Sequence, residues 1–272
     1  MSANPIPEKV DMYNTSYSHL EHPAYREIRL ETYGADFGQS NWASPEEFTE
    51  IAGLLQLTKN SSALEVGCGS GGCALHFAES TGCRVTALDV NPEGIKSATA
   101  LAHSKSLQSR VTFLLHNAAT HLPFADATFD AAYSNDAMCH LPDRLAVLRE
   151  FLRVLKPGGR FLFTDALVIT GVISDEELAT RSSIGHYLFV PRGENERLLE
   201  QSGFRLLRAA DTTPNAASIA KRRHDGRARR QSILLPIEGQ LIFDGLQRFL
   251  ACVHTLSHQQ RLSRFLYLAS KP

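Results

Sequence analysis

Charge of one sign is what this 272-residue sequence lacks most plainly: 28 lysines and arginines face 29 aspartates and glutamates, a formal net charge of −1. Such a balance gives no long-range attraction to nucleic acid or to an anionic membrane surface. The five cysteines, Cys68, Cys73, Cys83, Cys139 and Cys252, are odd in number and contain no Cys-x-x-Cys pair. That argues against a disulfide framework and a zinc site, so no metal is expected and a reducing cytoplasmic compartment is. The most apolar stretch, residues 161–173, is interrupted by Asp165 and is too short to span a bilayer. The first eight residues join no basic stretch to an apolar one, so no secretory leader is expected. Repeats and low-complexity segments are missing as well. The expected partner is a small molecule, with nucleic acid and membrane excluded and self-association into a homo-oligomer left open.

What is present is a chain with 43% hydrophobic residues, enough to bury a sizeable core. Its organising stretch is residues 63–72. Four of the six residues from Gly67 to Gly72 are glycine. Inside regular structure each would cost about 0.5–1 kcal/mol, so the cluster reads as a sharply bent loop. Ala63-Leu64-Glu65-Val66 before it suits a buried strand, and residues 73–79 after it suit a helix. A strand, a glycine loop and a helix together hold a ligand at a helix N-terminus.

Along the chain, residues 1–23 are polar and proline-spotted and read as a flexible arm. Tyr25, Ile28, Arg29 and Tyr33 share one face of a helix over 24–33. Ser44-Pro45-Glu46-Glu47 opens another, with a capping hydroxyl, a first-turn proline and acids at the positive end. Strands are expected at 84–89, 111–115, 129–134, 160–165, 204–209 and 265–269, with helices between the early ones. That alternation predicts an α/β fold: a Rossmann-like, seven-stranded, mostly parallel sheet with helices on both faces. Segments 24–57, 166–191 and 215–260 are expected to form a helical cap, giving a single domain over 24–271. The basic run 221–230 reads foremost as a solvated helix face.

Gly67-x-Gly69-x-x-Gly72, with Asp89 at the end of the next strand, fits a dinucleotide as well as an adenosyl cofactor. An ionised carboxylate at position 89 can accept from both ribose hydroxyls in either case. The discriminating residue is the acid at position 65. Glu65-Val66-Gly67-Cys68-Gly69-Ser70-Gly71, together with Leu155-Lys156-Pro157-Gly158-Gly159, resembles class I S-adenosylmethionine-dependent methyltransferases. The resemblance implies S-adenosyl-L-methionine as cofactor. It implies that Glu65, Gly67, Gly69 and Gly71 cradle the methionine part and that Asp89 holds the ribose. Asn117 and Ala118 would meet the adenine, and Ser134 and Asn135 would add further cofactor contacts. A nicotinamide-dependent oxidoreductase and a non-catalytic cofactor-binding scaffold are the alternatives.

The stretch from Tyr133 to Leu141 resembles the segment after strand four in sarcosine/dimethylglycine and phosphoethanolamine methyltransferases. That resemblance implies a catalytic pair, His140 and Tyr25, with a tyrosine from the N-terminal helix latching the histidine. It also points to Tyr33, His186, Tyr187 and Arg192 as acceptor-binding residues. An imidazole can take the proton that an amine or hydroxyl acceptor loses at neutral pH. A phosphobase enzyme needs cations for phosphate. The arginine expected two residues before Tyr187 falls on Gly185, leaving Arg192 or His186 to substitute.

Overall fold

The computed structural model describes residues 10–272. Helices α1 (Met12–Ser18), α2 (Pro23–Tyr33) and α3 (Pro45–Leu54) precede the first strand. The core then alternates β1 (Ser62–Val66), α4 (Gly72–Thr81), β2 (Arg84–Asp89), α5 (Pro92–Ser104), β3 (Val111–Leu115), β4 (Phe129–Asn135), α6 (Arg144–Val154) and β5 (Leu155–Ile169). It continues with α7 (Asp175–Arg181), β6 (Val190–Pro191), α8 (Glu194–Ser202), β7 (Arg205–Asp211), α9 (Thr213–Arg229), α10 (Gln231–His258) and β8 (Leu262–Ser270).

Among the described residues the strands make one sheet of order β3-β2-β1-β4-β5-β8-β7, with β6 added beside the outer end of β5. β8 runs antiparallel to both neighbours, and the remaining pairs are parallel. The eighth strand, β6, is two residues long, too short to leave a periodicity in the sequence. Apolar side chains cover both faces. Phe48, Ile51 and Phe77 pack on one side, and Leu148, Phe151, Phe161 and Phe204 on the other. A further cluster joins Trp42, Ile219, Leu246 and Phe249 away from the sheet.

Local rules set the elements that frame the site. Ser44 Oγ caps α3 by accepting from the Glu47 amide, and Asn91 caps α5. Gly71 caps α4 in the left-handed region at φ 81°, where a Cβ would meet Phe113 and Ala98 at 2.6 and 2.8 Å. Chain reversal at β1 leaves β2 on one side and β4 on the other, which opens a crevice at the carboxyl ends of these strands.

Two expectations change. Of the supposed flexible arm, residues 1–9 lie outside the described residues. The rest includes α1, whose Met12 and Tyr17 are buried. Ser97 Oγ donates to the Tyr17 carbonyl and Asn91 Nδ2 to Asn14 Oδ1, so α1 is fixed beside α5. The basic run is only partly a solvated face. Arg227 is buried against Glu238, while Arg229 and Arg230 reach across to Glu31 on α2.

Candidate active site

The crevice widens into a cavity of about 390 Å³, within the range of small-molecule sites. At one end it is lined by Glu65, Gly67, Gly69, Asp89, Val90, His116, Ala118 and Asn135. At the other end it is lined by Tyr13, Trp42, His140, Arg181, Ile184 and Tyr187.

The first end is built by the sheet. Glu65 is 2% exposed and takes one hydrogen bond, 3.2 Å, from the Tyr133 hydroxyl on the adjacent strand. Burial drives its carboxyl up to about 8. A carboxyl buried at a cavity wall with no cation beside it is built to receive one. Asp89 accepts from the Gly69 amide at 2.7 Å and from the Asn91 amide at 2.8 Å, which fixes both oxygens at the rim while burial raises its pKa. Asn135 gives Nδ2 to the Cys73 sulfur at 3.1 Å, and its buried Oδ1 has no partner. Orphaned acceptors beside two carboxyls suit a ligand that carries hydroxyls and a positive charge.

Three residues expected here lie elsewhere. Gly71 is turned away into the packing between α4, α5 and β3. Asn117 is exposed, and its Oδ1 accepts from the Ala119 amide of its own loop, so Ala118 and His116 line the cavity instead. Ser134 is fully buried and donates to the Val66 carbonyl at 2.9 Å, tying β4 to β1. At the loop itself, Gly69 sits at φ 52°, and a Cβ there would lie 2.5 Å from the Tyr17 hydroxyl. The glycine is needed so that α1 can lie across the loop.

The second end is assembled from distant segments. His140 Nδ1 lies 2.8 Å from the His186 carbonyl, which can only accept, so Nδ1 carries the proton. Nε2 is therefore the lone-pair nitrogen, and it accepts from the Tyr13 hydroxyl at 3.0 Å. Tyr187 Oη follows at 3.3 Å from Tyr13 Oη. Burial, reinforced by Arg181, lowers the His140 pKa, so the ring is neutral at pH 7. Burial raises both phenols, Tyr13 well above its ordinary value.

The tyrosine beside His140 is thus Tyr13 rather than Tyr25. Tyr25 points the other way, donating to Glu238 at 2.5 Å within a cluster that includes Ile28, Leu234 and Phe243. Its apolar helical period was legible; the element it faces was not. Tyr33 donates to the Asn41 carbonyl at 2.7 Å and lies outside this cavity. Arg192 lies 5.7 Å from the Phe265 ring and also outside it. His186 and Tyr187 do line the cavity. Sequence reasoning missed Tyr13, Tyr17, Trp42 and Arg181. For α1 the signal was there, since Val10, Met12, Tyr13 and Tyr17 space an apolar stripe along a polar segment.

One buried ionic link braces the two ends. Asp136, at φ 54°, accepts from the Trp42 amide at 2.9 Å and from Thr164 Oγ1 at 2.9 Å. It is also 2.8 Å from Arg264 Nε. Arg264, on β8, is fully buried and reaches Glu47 on α3 at 2.6 Å with Nη1.

Comparison with known proteins fits this geometry. The sequence profile of the family described as "Methyltransferase domain" matches residues 64–163. O-methyltransferases of Aspergillus sclerotiorum and Aspergillus nomiae are 32% and 33% identical over 63% and 60% of this chain; the matches span 65% and 72% of those proteins. The 27-O-demethylrifamycin SV methyltransferase of Amycolatopsis mediterranei is 29% identical over 92% of this chain and 94% of its own. The structure of a Haemonchus contortus phosphoethanolamine N-methyltransferase with phosphomonomethylethanolamine and S-adenosylhomocysteine superposes with a TM-score of 0.78 at 21% identity. That superposition covers 94% of this chain and 60% of the other. The chain belongs to the S-adenosylmethionine-dependent methyltransferases.

Proposed function

We propose that the acceptor atom is an oxygen of a small hydroxylated metabolite and that His140 takes its proton. When bound, the cofactor supplies a methyl group on a sulfonium, open to in-line displacement. In this reading Glu65 holds the cofactor's ammonium, and Gly67 and Gly69 let the loop lie close to its methionine part. Asp89 accepts from the ribose hydroxyls, and Val90, His116 and Ala118 flank the adenine.

The observation that carries the chemistry is the unprotonated Nε2 of His140, held in a defined tautomer at the cavity wall. An acceptor hydroxyl placed there gives its proton to Nε2 as the oxygen's lone pair forms the new bond to carbon. General-base catalysis of this kind is worth about 10²–10⁴-fold. Tyr13 fills that hydrogen bond otherwise, and Tyr187 beside it steadies the phenol. Holding the two reactants in line supplies up to about 7–11 kcal/mol.

Oxygen is preferred to a phosphobase nitrogen because the arginine expected two residues before Tyr187 is Gly185, Arg192 lies outside the cavity, and the one guanidinium that lines it among the described residues, Arg181, carries a single charge. The same reading treats residues 24–271 as one catalytic domain, over which α1 packs from outside that span, and places it in the cytoplasm with its five free thiols. Nucleic acid is no part of it, since much of the basic run makes internal ion pairs. The test is transfer of radiolabelled methyl from S-adenosylmethionine across panels of alcohols, phenols, hydroxy acids and amines, with products identified by mass. Methylated amines without any methyl ether would defeat the oxygen reading; tight nicotinamide binding with no transfer would defeat methyl transfer itself.

A further inference from the structure

Arg181, the last residue of α7, is 2% exposed, yet no carboxylate pairs with it among the described residues. The nearby acids are committed elsewhere: Asp165 to Arg144, Glu177 to Arg261, and Asp136 to Arg264. Its Nε and Nη1 are buried with no hydrogen-bond partner. What surrounds the guanidinium is aromatic, with Tyr187 at 4.8 Å, Phe249 at 4.9 Å and Trp42 at 6.0 Å from its carbon.

Ring faces return only part of what it costs to bury a charge that has no counter-ion. Among the described residues Arg181 is therefore a buried cation without a counter-charge. Arg181 borders the cavity at the same end as His140, and among the described residues no other lysine or arginine lines it. The guanidinium fork fits carboxylate and phosphate alike, but its single charge balances a carboxylate and leaves a phosphate dianion with one charge unpaired.

We propose that Arg181 anchors a carboxylate on the acceptor, which makes the substrate class hydroxy acids. This rests on the oxygen-methylation reading above and narrows it. The Tyr187 ring centre lies within 5 Å of both the His140 ring and the Arg181 guanidinium, so imidazole and guanidinium are less than 10 Å apart. That span fits a compact hydroxy acid whose body rests on the aromatic wall. The carboxylate is the anchor and not the methylated group, because ion pairing withdraws its lone pairs while the hydroxyl faces the base. The hydroxyl oxygen gains the bond to the methyl carbon as the carbon–sulfur bond breaks, and the hydroxyl proton goes to His140 Nε2.

The experiment uses matched pairs, each an aliphatic or phenolic hydroxy acid and its carboxamide, assayed for methyl transfer by the full chain. For wild type, kcat/KM for the acid should exceed that for its amide by about 100-fold or more, and this ratio needs no variant. In Arg181→Gln the ratio should fall below about 5-fold while the dissociation constant for S-adenosylmethionine stays within 2-fold. Equal turnover of acid and amide overturns the proposal but leaves methyl transfer standing, as does turnover confined to amines or neutral alcohols. A large loss of cofactor affinity in Arg181→Gln also overturns it, because the guanidinium then serves the cofactor's own carboxylate.

If no pair is methylated, binding still decides. Trp42, the only tryptophan in the sequence, lies beside the guanidinium, so its fluorescence reports occupancy there. Saturable change with the acids, absent with the amides and lost in Arg181→Gln, supports the anchor even where transfer fails. No change with any acid rejects it.

Discussion

The two ends of the cavity are made in opposite ways. The Glu65–Asp89 end centres on one βαβ unit, completed by the ends of the adjoining strands β3 and β4, and its contacts are backbone amides and short side chains at strand ends. The His140–Arg181 end draws on α1, the turn before α3, the loop after β4, α7 and the segment before β6, and its wall is largely aromatic. A site built within one unit keeps its geometry wherever that unit folds. A site built between elements depends on how distant parts pack, and can change its ligand without disturbing the sheet.

The largest expected effect tests whether chemistry belongs to the assembled end alone. His140→Ala should lower kcat by about 10²–10⁴-fold and leave cofactor affinity within 2-fold by calorimetry. A matching loss of cofactor affinity would dissolve the division. Asp89→Ala is the mirror case: removing a carboxylate that accepts two hydroxyls, at about 1.5–3 kcal/mol each, should raise the cofactor dissociation constant about 100-fold or more.

The next effect is one of pH. In the folded chain Glu65 keeps its proton up to about 8, against 4.5 for an ordinary glutamate. Its stabilising contribution is full below about 4.5 and is lost as pH rises toward 8. Melting temperature without ligand should therefore fall over that window in wild type, and fall less in Glu65→Gln. An ammonium ligand requires the ionised carboxyl, so cofactor affinity should climb with pH below 8, by up to about tenfold per unit, and the climb should flatten in Glu65→Gln. The smallest effects separate two tyrosines. Tyr13→Phe should cut kcat several-fold with little change in melting temperature. Tyr25→Phe should leave kcat nearly unchanged and cost about 1.5–3 kcal/mol of stability, as a hydrogen bond to buried Glu238 is lost.

The same contrast governs what could be read from the chain alone. Glu65, the glycine loop and Asp89 were legible because the physics that places them is local: a strand period, glycines at positive φ, and an acid at a strand end. Seven strands and a mostly parallel sheet followed from apolar runs alternating with helices, and the two-residue β6 escaped. The choice of tyrosine was not local. Tyr25 and Tyr13 both sit on short N-terminal helices, and which of them meets His140 depends on whether α1 packs over the glycine loop. Arg181 was invisible for a related reason, since an arginine in an acidic-start helix normally reads as a solvated charge.

The Arg264–Asp136–Trp42 link has a mechanical consequence. A last strand inserted against the direction of its neighbours acts as a strut, and its guanidinium holds the backbone of the aromatic wall from behind. The turn carrying Trp42 cannot shift without unseating a fully buried ion. The face of α7 that carries Arg181 lies outside this brace, so its side chains can be exchanged while the strut stays put.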